Sequence, residues 1–494
     1  MNRSDRRRQL ASLAKAPDAG QRFAADMRVA TGLHKQGRVK EAVELYRRIA
    51  RAYDGLPDVR VAWSNLGAAL QGLGKGEEAI QALKKARALK ADAPAPHHNL
   101  GMAYLNQGRP AEAVESLSRA VELDPKFTDA WIALAMAREA AGDRPAAEAA
   151  LRSALAHDPA AIEPRFNLAN LLRATGRAEE AIQEYGRCLE LRPDFAEAHF
   201  AIGRAREETG DFAGAATAYL EALRLAPAVE GVNNQMGLCL QRLAETDAEE
   251  ARRFAGLWRA AAPDSPTARH MAAAILGEAP PRAEDAFLRA QFDRFAGIYD
   301  QALAAIGNRA PELLRAAVEA ALPPPDGTLT VLDAGCGTGL LGPWLKPYAT
   351  HLVGCDVSPA MVVKAGERQV YDRLASDELG VFLTDADGLY DLIAAGDVLP
   401  YFGDLAPPLA AMARGLKPGG RLAGTVEAET AAPDGLAIRP TGRYAHGEAY
   451  LRRVLAEAGL ELESLTTDTL RQERGTPVPG HVFVAVKGAV KRAG

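Results

Sequence analysis

At 494 residues the chain exceeds what a single hydrophobic core supports, so two or more domains are expected. Hydrophobic residues at 48% and charged residues at 25% match folded soluble proteins and exclude a largely disordered chain. A net charge of -5 gives no basic footprint for wrapping nucleic acid, so no nucleic-acid partner is expected.

Residues 1–22 carry Arg3, Arg6, Arg7 and Arg8, with no apolar stretch after them long enough for a signal core or a membrane span. This start reads as a frayed, solvated helix; no membrane insertion is expected, and the expected location is cytoplasmic. Cys188, Cys239, Cys336 and Cys355 are scattered, without a Cys-x-x-Cys pair. They read as free thiols in a reducing compartment, and no metal site is expected.

From residue 23 to residue 262 the chain repeats itself. Gly74, Gly108, Gly142, Gly176 and Gly210 follow one another at intervals of 34, as do Ala79, Ala113, Ala147, Ala181 and Ala215. Pro125, Pro159, Pro193 and Pro227 keep the same step, and Leu66, Leu100, Leu134 and Leu168 stay in phase. Each position has a physical reason. Gly67, Gly101, Ala135, Ala169 and Gly203 fall midway along a first helix, where a second helix approaches only if little side chain intervenes. The later glycine breaks that helix and supplies a turn, and the recurring alanine opens the close-packed face of a second helix. Leu83, Leu117, Leu151, Tyr185 and Tyr219 fill the groove between helices, and the proline stops the second helix. Such a unit cannot bury its apolar stripe alone, so the units must stack.

This half resembles the tetratricopeptide repeat family. The first unit, with Ala30, Gly37, Ala42 and Tyr46, is longer at its end, and the last, from Glu230, keeps Met236 and Gly237 before losing the pattern as a capping unit does. The resemblance implies a protein or peptide partner in the inner groove. In some family members an asparagine at the place of Asn65, Asn99 and Asn167 bonds the backbone of an extended peptide, although Ala133 and Ala201 take that place in two other units. The competing reading is that these amides cap or bridge neighbouring helices.

Prolines at 263 and 266 and at 280 and 281 punctuate a segment, 263–284, that reads as a linker. Beyond it, short apolar runs alternate with helical stretches, so residues 285–494 are expected to form a mostly parallel sheet covered by helices. The fold class expected is thus multidomain: an all-α solenoid followed by an α/β domain. The strand Thr330-Val331-Leu332 runs directly into Asp333-Ala334-Gly335-Cys336-Gly337-Thr338-Gly339. Alternate glycines let the chain turn from strand to helix with its backbone close to a ligand. A dinucleotide fingerprint would place its third glycine where Leu340 stands, and it has no need of Asp333. A sulfonium cofactor, which lacks a pyrophosphate, needs close backbone around its methionine part and an acid near its ammonium, which Asp333 supplies. The next strand, around 351–355, ends on Asp356, whose carboxylate is placed to accept both hydroxyls of a ribose. Ser358-Pro359 opens a helix, where Met361 reads as core rather than as an adenine contact.

With the strand 390–397 and Leu416-Lys417-Pro418-Gly419-Gly420-Arg421, these motifs resemble the Rossmann-like S-adenosylmethionine-dependent methyltransferases. The resemblance places Gly335, Gly337 and Gly339 against the cofactor and Asp356 on its ribose. It sets an acid after the third strand on the adenine, either Asp377 or, preferred, Glu378. It puts Asp397 at the methyl-transfer site with Tyr401 behind it, and makes 481–487 an antiparallel last strand. The stretch 292–300 resembles the lid helix of small-molecule methyltransferases, with Tyr299 over the cofactor; the alternative is a docking helix with core aromatics. Methyl transfer from a sulfonium mainly needs positioning, and a base matters only where the acceptor must lose a proton. The candidates near the acceptor are Asp397, Tyr401, Tyr444 and His446, the last of which also reads as a cap for the following helix.

The expected function is methyl transfer from S-adenosylmethionine to an oxygen or carboxyl group of a small molecule, or to a protein, with the repeats recruiting a partner. The alternatives are a repeat adaptor whose second domain only binds or senses the cofactor and, more distantly, a nicotinamide oxidoreductase.

Overall fold

The computed structural model describes residues 18–90, 92–229 and 231–488. The arginines at 3, 6, 7 and 8, and Glu230 at the expected start of the last repeat, lie outside the described residues. The chain divides into two compact units, 1–210 and 211–494.

The first unit is helical. Ala19–Lys35 pairs with Val39–Ala52, Val59–Gly72 with Gly76–Leu89, Pro94–Asn106 with Pro110–Leu123, Thr128–Ala140 with Arg144–His157 and Ile162–Ala174 with Ala178–Leu191, and Ala196–Thr209 follows. From Val59–Gly72 to Ile162–Ala174 each first helix packs on its own second helix and on the first helices of neighbouring repeats. The period is visible in the packing. A Cβ at Gly67 would stand 2.5 Å from Leu83 Cγ, and one at Gly101 would stand 2.4 Å from Leu117 Cγ. Gly74, Gly108, Gly142 and Gly176 hold φ between 66° and 83°, the left-handed turn that joins the helices of a pair. At Gly108 the turn closes through Arg109 N–H donating to the Tyr104 carbonyl at 2.9 Å.

The second unit begins with the helices Phe212–Leu225, Val232–Thr246, Ala248–Ala261 and Pro266–Leu276. The last of these lies within 263–284, the segment expected as a linker. Its proline stands at a helix start, where φ is already helical and no N–H is needed, with the Ser265 hydroxyl accepting from Ala268 N–H at 3.2 Å. His270 in this helix meets the Gly442 carbonyl at 2.8 Å and lies tilted against the Phe287 ring.

Among the described residues nine strands form one sheet: β1 (Leu329–Ala334), β2 (Ala349–Cys355), β3 (Arg373–Ala375), β4 (Tyr390–Ala395), β5 (Leu416–Ala428), β6 (Leu436–Ile438), β7 (Tyr444–His446), β8 (Leu460–Glu473) and β9 (Thr476–Lys487). The parallel run is β3-β2-β1-β4-β5, and β9 adds antiparallel to β5 with β8 beyond it. Residues alternate between two cores. Leu332, Ala334, Ile393, Leu422 and Phe483 face one, while Val331, Leu392, Ala394, Ala423 and Val484 face the other. The chain runs outward from β1 to β3 and returns to β4 on the other side of β1. Connections at the carboxyl ends of β1 and β4 therefore diverge and leave a crevice.

Candidate functional site

The crevice is bordered by the loop after β1, the ends of β2 and β4, and the helices Asp285–Phe295 and Tyr299–Ala305. In the loop, Gly335, Gly337 and Gly339 all take positive φ, at 69°, 53° and 79°. A Cβ at Gly335 would stand 2.5 Å from Val398 Cβ, and one at Gly339 would stand 3.2 Å from Ala365 Cα. Here glycine is required by backbone conformation and by space together. Gly335 N–H and Cys336 N–H both donate to the Cys355 carbonyl, at 2.8 and 3.0 Å, which ties the loop to the end of β2.

Asp356 follows directly. Its carboxylate accepts from Gly337 N–H and from Ser358 N–H, each at 2.9 Å. Burial pushes its carboxyl above the usual range, while those two amides pull the other way. Asp333 is fully buried and accepts from the Tyr371 hydroxyl at 2.6 Å. Burial raises its carboxyl to about 7, against the opposing effect of that hydrogen bond.

In place of one lid helix over 292–300, the structure has two helices, the first ending at Phe295 and the second starting at Tyr299. Three adjacent residues, Ala296, Gly297 and Ile298, break the run. Both helices are fastened to segments that border the crevice or lie beside it. Asp293 accepts from the Ser358 hydroxyl at 2.5 Å and from Ala360 N–H at 3.2 Å, and Asp300 accepts from the Thr338 hydroxyl and from Arg368, the latter at 2.6 Å. Tyr299 lies over the glycine loop: one of its ring carbons is 3.9 Å from where a Gly337 Cβ would be. The Phe292 ring stands edge-on to both Tyr299 and Tyr401.

Asp397 and Tyr401 line the same crevice, and both are held by Arg443, which reaches Asp397 Oδ1 through Nη2 and the Tyr401 hydroxyl at 2.8 Å through Nη1. Burial opposes the charge on Arg443, but Asp397, Tyr401 and Glu427 outweigh it and raise its pKa far above the ordinary value. Glu427 is likewise opposed by burial, and Arg443 and Arg471 hold its carboxyl below the usual range. Glu378 and Asp377 both border the crevice. Glu378 is engaged twice, capping the helix Leu379–Phe382 through Val381 N–H at 2.9 Å and pairing with Arg282 at 3.1 Å. Met361 is buried and borders the crevice as well.

The structure thus brings together Tyr299, Asp333, Gly335, Gly337, Asp356, Glu378, Asp397 and Tyr401 around one crevice, with Gly339 behind them in the turn of the loop. His446 does not join them. It is wholly buried in β7, with Nε2 on the Gly403 carbonyl at 3.0 Å and its ring stacked on Tyr450. Burial lowers its pKa to about 4, so it is neutral in this position. Nor does it cap the following helix, whose N-cap is Gly447. Tyr444 is also buried, donating to the Pro280 carbonyl at 2.8 Å. In the repeat unit, Asn65, Asn99 and Asn167 occupy equivalent half-buried places on three first helices. Asn99 donates to the Ser64 hydroxyl at 2.9 Å and so bridges to the preceding first helix.

Four further participants, Tyr371, Asp293, Asp300 and Arg443, escaped the sequence reading. Tyr371 lies outside any strand-end motif. Asp293 and Asp300 stand inside the stretch 292–300 and Arg443 stands beside Tyr444, but nothing in their spacing shows which distant side chain or helix start they reach.

A methyltransferase-domain family model matches residues 332–422, and tetratricopeptide-repeat models match 58–126, 104–163 and 166–230. Among curated proteins, the chain is 38% identical over 104 residues to human "methyltransferase-like protein 27", covering 21% of this chain and 42% of that one. It is 35% identical over 131 residues to the demethylmenaquinone methyltransferase of Corynebacterium kroppenstedtii, covering 26% of this chain and 56% of that one. It is 30% identical over 156 residues to the ubiquinone biosynthesis O-methyltransferase of Xylella fastidiosa, covering 28% and 62%. The chain spans about half the length of the curated relatives it matches. Among solved structures, the C-terminal part of a repeat protein from Cytophaga hutchinsonii is 17% identical, with a TM-score of 0.41, covering 49% of this chain and 97% of that one.

Proposed function

For a chain that carries tetratricopeptide repeats and a methyltransferase domain, we propose that the crevice binds S-adenosylmethionine and that its methyl group passes to an acceptor held beside Asp397 and Tyr401. The transferase domain is taken as residues 285–494 and the repeats as 23–262. The observation that carries this reading is the left-handed glycine loop tied, through Gly337 N–H, to the Asp356 carboxylate at the neighbouring strand end. The donor set suits the cofactor. Asp356 offers a carboxylate for the ribose hydroxyls, and Asp333 is a buried acid with no cation among its partners in the described residues, as an ammonium would need. Side chains at 335 or 339 would fill the turn, as the Cβ positions show.

When bound, S-adenosylmethionine supplies an electrophilic methyl group with a neutral thioether as leaving group. The protein's own contribution is then positioning and exclusion of water. Asp356, Asp333 and the loop hold the donor; Glu378 or Asp377 meets the adenine; Tyr299 covers the site; Asp397 and Tyr401 face the acceptor. His446 has no part in this scheme. An oxygen acceptor on a small molecule is favoured, in keeping with the O-methyltransferase among the relatives, and a protein side chain is the alternative. The repeats recruit a protein partner through their first helices, with Asn65, Asn99 and Asn167 as the groove contacts.

The test uses the full chain. Calorimetry should show one site for S-adenosylmethionine or S-adenosylhomocysteine, and labelled methyl groups should pass to one fraction of a cell extract separated into protein and small molecules. Absence of binding, or preference for a nicotinamide dinucleotide, would overturn the reading; binding without transfer would leave the protein a cofactor sensor.

A further inference from the structure

The acceptor end of the crevice is walled by Phe292, Tyr299, Asp397 and Tyr401. Behind that wall, Arg443 bonds Asp397 Oδ1 with Nη2, the Tyr401 hydroxyl oxygen with Nη1 and Glu427 with Nε. Arg471 holds the same Glu427 oxygen and Glu473, each at 2.6 Å. A guanidinium has donors only. The Tyr401 oxygen is therefore the acceptor in its bond with Arg443, and the Tyr401 proton points elsewhere. No acceptor for that proton is found among the described residues, and Asp397 Oδ2 likewise has no partner among them. One guanidinium thus fixes a hydrogen-bond donor and an acceptor as neighbours on the crevice wall.

The charges decide what can sit there. Two guanidiniums, Arg443 and Arg471, face three carboxylates, Asp397, Glu427 and Glu473, and Arg282, which also lines the crevice, pairs with Asp285 and Glu378, so among the described residues no positive charge is left over to receive an anion. A carboxylate acceptor would meet Asp397 without a counter-ion in a mostly apolar cleft, at a high desolvation cost. The edge-on rings of Phe292, Tyr299 and Tyr401 favour a flat, unsaturated ligand.

We infer that the acceptor is a neutral hydroxyl beside a second oxygen, as in a phenol or enol: the hydroxyl donates to Asp397, the second oxygen accepts from Tyr401, and Arg443 is the positioning residue for both. This rests on the crevice being the methyl-donor site. In the step, the hydroxyl oxygen forms the new O–CH3 bond as the S–CH3 bond breaks. The broken bond's electron pair stays on sulfur, and the hydroxyl proton passes to Asp397 and on to solvent.

The test begins with the full-length protein and S-adenosylhomocysteine, whose binding is measured first. The saturated complex is then titrated with catechol, benzoate and 1,2-dimethoxybenzene, followed by ligand NMR. Catechol should bind about tenfold or more tightly than either comparator, since each lacks the donor or carries the wrong charge. Tyr401→Phe should weaken catechol by about five- to tenfold while leaving S-adenosylhomocysteine within about twofold. Arg443→Lys should weaken catechol similarly and shift the 13Cζ resonance of Tyr401, which loss of packing alone would not pair with unchanged S-adenosylhomocysteine binding. Should Arg443→Lys fail to fold, the wild-type ranking and Tyr401→Phe still decide. Benzoate binding as well as catechol, no catechol binding, or no effect of Tyr401→Phe would overturn the inference even with S-adenosylhomocysteine bound. Failure of S-adenosylhomocysteine to bind, seen before any probe is added, would instead remove the donor-site reading itself.

Discussion

In the repeat unit, contacts join residues about one repeat apart or less: Gly67 meets Leu83, Tyr185 bonds Asn170 at 2.6 Å, and Asn99 bonds Ser64 at 2.9 Å. In the α/β unit the contacts that matter span far more chain. His270 reaches Gly442 across 172 residues, Ser358 reaches Asp293 across 65, and Arg443, just before β7, joins Asp397 and Glu427. The first arrangement is approximately one-dimensional, each pair of helices stabilised by its neighbours, whereas the second exists only once distant strands have met. Damage should accordingly stay local in the repeats and should reach the whole site in the transferase domain.

Several measurements sharpen or break that contrast. The largest effect is expected at Asp356→Ala. Two charge-assisted hydrogen bonds to a ribose, at about 1.5 kcal/mol or more each, imply a loss in cofactor affinity of roughly 100-fold or more, measurable by calorimetry. Affinity unchanged within about threefold would show that the strand-end acid is not the anchor.

Next in size is Gly101→Leu, which drives a side chain into Leu117 in a fully packed groove. The expected cost is about 1–3 kcal/mol, or more if the helices cannot part. Hydrogen exchange should quicken in Pro94–Asn106, Pro110–Leu123 and the adjoining repeats while β1 and β4 keep their protection. Equal loosening of the sheet would break the comparison.

Asp333 should give a smaller effect, dependent on pH. Its folded pKa, raised by burial to about 7, lies above the ordinary carboxyl value of 3.8. The stability this proton provides to the ligand-free protein is complete below about pH 4 and is lost as pH rises through about 7. An ammonium ligand needs the ionised form, so cofactor binding should strengthen by about tenfold from pH 6 to pH 8 and release a proton at the lower end. Asp333→Asn should flatten the profile, and titration in buffers of different ionisation enthalpy checks the proton. A flat wild-type profile would place the ammonium away from Asp333.

The smallest effect is expected at Asn99→Ala, which removes the bond to Ser64 and should cost about 0.5–1.5 kcal/mol in urea denaturation. Alanine at Asn65 and Asn167 should cost less stability, and all three together should lower affinity for the partner the repeats recruit. Unchanged partner affinity would leave the asparagines a purely structural role.

Much of this is legible in the sequence alone. Gly108 and Leu117 each announce themselves by recurring at a fixed interval, because neighbouring repeats impose the same turn and the same groove on every unit. Gly335, Gly337 and Asp356 were legible for a different reason: a strand that ends in a tight turn allows few residue types. The segment 263–284 read as a linker because Pro263 and Pro266 look like breakers, yet Pro266 begins a helix whose fate depends on Gly442 and Phe287 far along the chain.

His446 shows the limit most clearly. Its residue type and its place after the fifth strand suggested proton transfer, but neither says which side of β7 it occupies, and it faces Gly403 and Tyr450 in the core. Sequence by itself determined the repeat period, the order of the domains, the glycine loop and the acids at the strand ends, because each is set by local backbone geometry. Only the tertiary structure decided that Tyr371 serves Asp333, that Asp293 and Asp300 fasten the helices over the crevice, and that Arg443 sets Asp397 and Tyr401. Those pairings depend on which strands lie side by side, and no spacing along the chain encodes a hydrogen bond between residues that meet only after the sheet has formed.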